Sequence, residues 1–186
     1  MRSLLLVAAL TASLVGCSNA VQSFIVAPQV LATQSNQLAN VSFTFSVQDN
    51  RPSTATLVMR DGDTVKNYPA SNDVMGQIQN TLTEAFKKQG ASVTSADSVT
   101  VTLQVNQLQA NADLKLANHT VRNSVEVTLL IEKNGASFNR SFSGSGSFTQ
   151  PLKLDTAMAE RELRVLTEQV LNDVMRDSSW QNFLRN

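Results

Sequence analysis

The stretch Val99-Thr100-Val101-Thr102-Leu103-Gln104-Val105-Asn106 decides the fold. Apolar residues take the odd positions and polar residues the even ones, the period of a strand with one face buried. The apolar parity then slips, because Leu108 and Ala110 carry it on even numbers. A slip of one residue predicts a β-bulge near Asn106-Gln107. Upstream, Val41, Phe43, Phe45 and Val47 alternate with Ser42, Thr44 and Ser46, a second half-buried strand. It ends at Asp49-Asn50-Arg51-Pro52, a turn cluster whose proline cannot donate to a ladder. Ala55 to Arg60 reads as another strand, with Asp61-Gly62 as a tight turn into Thr64 to Tyr68.

Downstream, a strand carrying Val121, Val125, Val127, Leu129 and Ile131 turns at Asn134-Gly135, a strong hairpin signal. The strand that follows has Phe138, Phe142 and Phe148 on one parity and Ser141, Ser143, Ser145 and Ser147 on the other. Gly144 and Gly146 share the phenylalanine parity, where they leave room for a helix to pack closely.

Two segments have helical spacing instead. Val74, Met75, Ile78, Leu82, Ala85 and Phe86 form one stripe, with Ser71 or Asn72 as the expected cap and Gly90 as the stop. A longer helix is expected from Asp155 to Asp177, with the stripe Ala159, Leu163, Leu166, Val170 and Val174, and with Glu160 and Arg164 as an i,i+4 pair. A short closing segment brings Trp180, Phe183 and Leu184 to one side, as a lid over the core. The expected fold is α+β in two layers: a mostly antiparallel sheet with two amphipathic helices packed on one face. The other face is left to Thr, Ser, Gln and Asn.

The first residues carry a different signal. Arg2 precedes an apolar run from Leu4 to Val15, too short to span a bilayer as a helix but suited to a secretory signal. Leu14-Val15-Gly16-Cys17 resembles the lipobox of bacterial lipoproteins, and an ordinary cut after Ser18-Asn19-Ala20 is the alternative. The single cysteine of the chain favours the lipobox, since a lipid acceptor must sit at the cleavage point and a structural thiol need not. That resemblance implies diacylglyceryl transfer to Cys17, cleavage before it and acylation of the new amine. It also implies, through Ser18, sorting to the outer membrane with the domain facing the periplasm. Several acyl chains on one residue hold a protein firmly where a single chain does not. Residues 1–16 are thus expected to be a signal peptide, 17–23 a short lipidated tether and 24–186 one domain. The six residues between Cys17 and Phe24, fully extended, reach ~20 Å.

Removing residues 1–16 from 186 leaves 170, one domain with enough chain for a core of its own. With Cys17 acylated no disulfide can form, so packing alone must hold the fold. Fifteen basic residues balance fifteen acidic ones and no basic stripe occurs, which argues against nucleic acid as a partner. Charged residues make up 16%, below the roughly 25% of typical soluble domains, and hydroxyl and amide side chains take their place.

The chain resembles the YajG-type lipoproteins of Gram-negative bacteria. The resemblance rests on the lipobox, on the strand running into Val47-Gln48-Asp49-Asn50-Arg51, and on the helix ending Lys88-Gln89-Gly90. The long hairpin region and the C-terminal helix closed by Asp177 to Leu184 complete it. It implies the compartment and the fold, and no biochemical activity.

Candidate chemistry is sparse. His119 is the only histidine, with no nucleophile motif beside it, and reads as a surface turn residue in Ala117-Asn118-His119-Thr120. A catalytic zinc would need about three ligands, which are not at hand once the thiol is acylated. Asp61-Gly62-Asp63 resembles part of a calcium loop but lacks its other positions, and reads as a hairpin turn. Arg51 either offers its planar fork to an anionic ligand or pairs with a helix-borne acid while Asp49 accepts turn N–H bonds. The serine parity at Ser143 and Ser145 has no lysine guarding it, so strand addition by a partner is open to it.

No catalytic residue, cofactor or metal is assigned. The expected role is non-enzymatic: an envelope interaction or assembly subunit, held to the membrane by its lipid and contacting an envelope protein or a second copy. Asp49, Arg51, Thr102, Ser143 and Ser145 are the candidate contacts. The alternative is a binding module for a glycan or peptidoglycan fragment.

Overall fold

The computed structural model describes residues 23–186, so the signal segment 1–16 and Cys17 lie outside the described residues. The alternating stretch is the first half of β5 (Thr100–Leu114), the strand around which the sheet is built. Val101, Leu103 and Val105 are fully buried, and beyond the slip Leu108, Ala110 and Ala112 take over. β5 pairs antiparallel with β6 (Asn118–Lys133), and the ladder steps from Val105↔Val127 to Gln107↔Glu126, leaving Asn106 as the extra residue. The bulge stands where the parity slip puts it. β6 turns into β7 (Ala136–Pro151) through Asn134 (φ 52°) and Gly135 (φ 80°), the left-handed pair of a tight hairpin.

The other edge of β5 is shared. β1 (Ser42–Asp49) runs parallel to its first half, from Thr44↔Thr100 to Asp49↔Val105. β2 (Ala55–Asp61) runs parallel to its second half, from Leu57↔Ala110 to Asp61↔Leu114. Between Asp49 and Leu57 the chain uses eight residues against five on β5, so the connecting loop must stand away from the sheet. β3 (Thr64–Pro69) pairs antiparallel with β2, and a three-residue β4 (Ser92–Thr94) runs parallel to β1.

The sheet is therefore mixed rather than mostly antiparallel. The reason is the crossover: α1 (Val74–Lys88) separates β1–β3 from β4 and β5, and a helical crossover returns the chain to enter the sheet in its former direction. Turn residues announce hairpins but are silent about such returns.

α1 buries Val74, Ile78, Leu82, Ala85 and Phe86, and ends at Gly90 (φ 93°). Its cap is Asp73, whose carboxylate accepts the Gly76 N–H at 3.0 Å, and not Ser71 or Asn72. Those two residues hold the N-terminal segment. The Phe24 N–H donates to Ser71 Oγ (3.2 Å) and the Ser71 N–H to the Phe24 carbonyl (2.8 Å). The Asn72 amide pairs with both main-chain groups of Val26, at 3.0 and 2.9 Å.

From the other side α2 (Thr156–Arg176), capped by Asp155, reaches the same segment. Ile25 N–H donates to Glu160 (2.7 Å) and Gln29 N–H to Glu168 (3.1 Å). Eight helical residues rise about 12 Å and four extended ones about 13 Å, so the two spacings match. Glu160 is thus engaged with main chain, and Arg164 pairs with Glu168 (2.7 Å) instead of with Glu160.

The core closes around Phe86. Phe43, Phe45 and Trp180 meet its ring edge-on at 5.4, 5.0 and 5.8 Å between centroids. Trp180, on α3 (Ser178–Arg185), is fully buried and donates its indole N–H to the Val174 carbonyl, as a lid over the core would. α2 packs on β5, β6 and β7, and α1 on β1 and β4. A Cβ on Gly144 would come within 2.9 Å of Leu166 and Val170, so this glycine lets α2 approach. Gly146 has nothing within 4 Å and does no such work.

Candidate functional site

Where β1 gives way to β2, the loop stands off the bulge and leaves a cleft of about 220 Å³. Arg51, Pro52 and Ser53 form one wall, and Gln107, Gln109 and Glu126 are among the residues of the other. Arg51 is fixed by Asp49: Nε and Nη2 donate to the two carboxylate oxygens at 2.7 and 2.8 Å, and the Arg51 N–H donates to the same group at 3.3 Å. Those bonds from Arg51 hold the Asp49 carboxyl below its ordinary range, against the opposing pull of burial. The partner of Arg51 is thus its own turn aspartate and not a helix-borne acid. Its side chain is only 8% exposed, and Nη1 is buried with no partner among the described residues.

A second hollow of about 270 Å³ continues from the first, lined by Gln107, Ser124, Val125, Glu126, Ser143, Gly144 and Ser145. Gln107 and Glu126 border both. They sit on one rung across three strands, Gln107↔Glu126↔Ser143, so the two hollows form a groove running across the strands. Beside it, Asn106 Nδ2 donates to Thr128 Oγ1 (2.8 Å), which is 2.9 Å from Ser141 Oγ. The bulge residue is thereby tied into a hydroxyl chain. Gln109, Asn111 and Arg60 make a second polar chain through Gln109 Nε2 to the Ala55 carbonyl (2.9 Å). The groove offers amides, hydroxyls, one carboxylate and a guanidinium already neutralised by Asp49. No aromatic ring lines it.

Of the residues singled out in the sequence, Arg51, Ser143 and Ser145 line this groove and Asp49 positions Arg51. Thr102 does not belong to it, being half-buried in β5 with its hydroxyl 3.3 Å from Ser46 Oγ. Gln107 and Glu126 were not singled out, although the parity slip at Asn106-Gln107 marks their rung. His119 is a strand residue of β6, not a turn residue. Its Nε2 lies 3.0 Å from the Leu152 carbonyl and so carries the proton, while Nδ1 is buried with no partner among the described residues. Asp61-Gly62-Asp63 is a hairpin turn, with Gly62 at φ 55°. Among the described residues no group of three or more His, Cys, Asp or Glu is placed to hold a metal ion, and no helix is long and apolar enough to cross a membrane.

The groove opens toward β7, which has β6 on one side and no strand on the other among the described residues. Its odd residues from Ser137 to Thr149 are all exposed. The strand contains no lysine, and its sole proline is its last residue.

Comparison with known proteins bears on the fold and the family. Protein XCC0632 from Xanthomonas campestris matches with a TM-score of 0.54 at 13% identity, over 86% of this chain and 96% of that one. Lipoprotein GNA1162 from Neisseria meningitidis matches with a TM-score of 0.31 at 12% identity, over 71% and 99% of the two chains. A putative neuraminyllactose-binding hemagglutinin homolog from Helicobacter pylori matches with a TM-score of 0.39 at 14% identity, over 77% and 83%. At such identities the first likeness speaks for the fold alone. Comparison with curated proteins yields no match. The family described as "Uncharacterized lipoprotein" matches residues 28–185, nearly all of the domain. The chain belongs to this lipoprotein family, the YajG type that its sequence resembles.

Proposed function

We propose that this protein is a non-enzymatic interaction or assembly subunit of the bacterial envelope. It is held to the outer membrane by lipid on Cys17, faces the periplasm and docks a partner protein along β7 and the adjoining groove. Family membership implies a membrane-anchored lipoprotein, and the lipobox and Ser18 support the finer placement. One observation carries the docking role. A sixteen-residue edge strand without lysine or internal proline leaves its main-chain groups available for pairing, where soluble monomers normally block such an edge. In this reading the helices take the apolar parity of the sheet, and the serine parity of β7 stays free.

The test is photocrosslinking in cells from Ser143 and Ser147 on β7, with the buried Leu103 as control. A single discrete adduct from both serine positions, absent from Leu103, is the expected result. Failure of both to give a protein adduct sinks the docking reading.

A second reading has its own support in the groove. Its amides and hydroxyls suit a glycan or peptidoglycan fragment, and Arg51 Nη1 is a buried donor with no partner among the described residues. Sugar sites usually add an aromatic platform, and the groove has none, which ranks this reading second. A rise in melting temperature with muropeptides, lost in Glu126→Ala and Gln107→Ala, would raise it.

A further inference from the structure

Of the three most exposed leucines among the described residues, Leu31 (87% exposed) lies past Gln29 in the N-terminal segment, and the other two meet at one corner. Leu116, between β5 and β6, is 105% exposed, and Leu152, after β7, is 83% exposed. They lie on neighbouring loops, joined by the Leu152 N–H donating to the Ala117 carbonyl (3.1 Å) and by His119 Nε2 at 3.0 Å from the Leu152 carbonyl. Leu152 also sits at φ 65°, in the left-handed region that glycine and asparagine tolerate and a bulky side chain avoids. Neither packing nor backbone comfort accounts for a leucine there. Each leucine has an exposed lysine beside it, Lys115 and Lys153.

The path of the chain says what covers this corner. The N-terminal segment runs alongside α2 in the same direction, Ile25 at Glu160 and Gln29 at Glu168. Followed backward from Ile25, it heads for the α2 N-terminus, where Asp155 follows Leu152 by three residues. The described chain begins at this end, and Cys17 precedes its first residue by six positions in the sequence.

From this juxtaposition we infer that the Lys115-Leu116 and Leu152-Lys153 loops form the membrane-resting corner of the domain, the two leucines entering the headgroup–acyl boundary of the bilayer that the lipid on Cys17 occupies. The inference rests on the anchoring proposed above. Leucine in the interface with lysine snorkelling beside it is the ordinary chemistry of a protein lying on a membrane. Asp61 and Asp63, in the turn beside Leu114, offset the two lysines. Apolar insertion, not charge, therefore drives the contact, and the contact should survive salt. It also orients the domain: the Asn134-Gly135 turn, at the far end of the β6–β7 hairpin, points away from the bilayer.

The test uses the full lipidated chain in phosphatidylethanolamine/phosphatidylglycerol vesicles with an environment-sensitive fluorophore on Leu116→Cys, Leu152→Cys or, at the far end, Ser137→Cys. All three sites are exposed, so labelling spares the fold, and an acylated Cys17 leaves one thiol to label. Blue-shifted emission at positions 116 and 152, quenched several-fold more by brominated acyl chains than at 137 and unchanged in about 1 M salt where screening is short-ranged, is the expected result. Equal, water-like emission at all three overturns the inference. Intact mass of the same samples separates the two ideas. Acylated protein with water-like labels removes the resting corner alone, and an unacylated Cys17 removes the anchor and this inference with it.

Discussion

The two sides of β5 are built on different principles. Toward β6 one strand pairs along its whole length, and β6 continues through a two-residue turn into β7. Toward β1 and β2 two short parallel strands divide the edge, and the loop between them carries the groove wall. The first side is local in sequence and continuous. The second is assembled from segments some fifty residues apart, and its discontinuity is what leaves room for a site. The cleft beside the displaced loop forms where pairing is interrupted, and the hollow on β5, β6 and β7 adjoins it at the bulge.

The comparison breaks most directly at Phe86, the ring that joins α1 to Phe43 and Phe45 of β1 and to Trp180. Phe86→Ala should cost about 3–5 kcal/mol by denaturant unfolding. Amide exchange should accelerate first in β1 and β4, with β6 and β7 last. Simultaneous opening of both sides would refute the division. Next comes Asp49→Asn, which leaves a nearly buried guanidinium without its carboxylate and should cost about 2 kcal/mol. Arg51→Met, which removes the charge as well, should cost less. If Asp49→Asn were harmless, the loop would not be held by this pair.

The continuous side is sharpened by its glycines. Gly144→Ala should lose about 1 kcal/mol through contact with Leu166 and Val170, whereas Gly146→Ala should be neutral or gain up to about 0.5 kcal/mol. Equal effects would mean that α2 does not rest on Gly144. The smallest effect lies at Asp177, which caps α3 and pairs with Arg140 of β7. Burial pushes this carboxyl up, but its bonds with Ser179, with Arg140 and with the Trp180 N–H outweigh burial and leave it below its ordinary value. A carboxyl depressed in the folded state contributes stability above about pH 4 that is lost as the pH falls through its folded pKa. Asn caps a helix about as well as Asp, so Asp177→Asn loses only the charge and should melt slightly below the parent at neutral pH, by about 0.5 kcal/mol. The two melting curves should converge in acid below that value.

What could be read in the sequence follows the same division. The alternation around Leu103, the parity slip at Asn106-Gln107 and the Asn134-Gly135 turn are local signals, and all three reappear in the structure. The parallel entry of β1 and β2 was not legible, since strand direction depends on which distant segment is met. β4 is three residues with no pattern of its own. Asp73 takes the cap because Ser71 and Asn72 are engaged with Phe24 and Val26, a competition that no local spacing displays. Glu160 was claimed by Ile25 in the same way. The groove was half visible. Arg51 announced itself through Pro52, but Gln107 and Glu126 are ordinary polar-parity residues until the bulge and the displaced loop bring them to a cleft.

The segment from Phe24 to Gln29 also has a mechanical meaning. Its main-chain bonds to Ser71, Glu160, Asn72 and Glu168 lie across its length, spaced from one end to the other. A pull on residue 23 along the segment loads them together, in shear, and no single bond bears the force alone. The load passes into α1 through Ser71 and Asn72 and into α2 through its two glutamates, and from both helices into the sheet. A pull at right angles would peel the bonds one by one, beginning at Phe24. The direction in which the tether leaves the domain thus sets how much tension the attachment withstands.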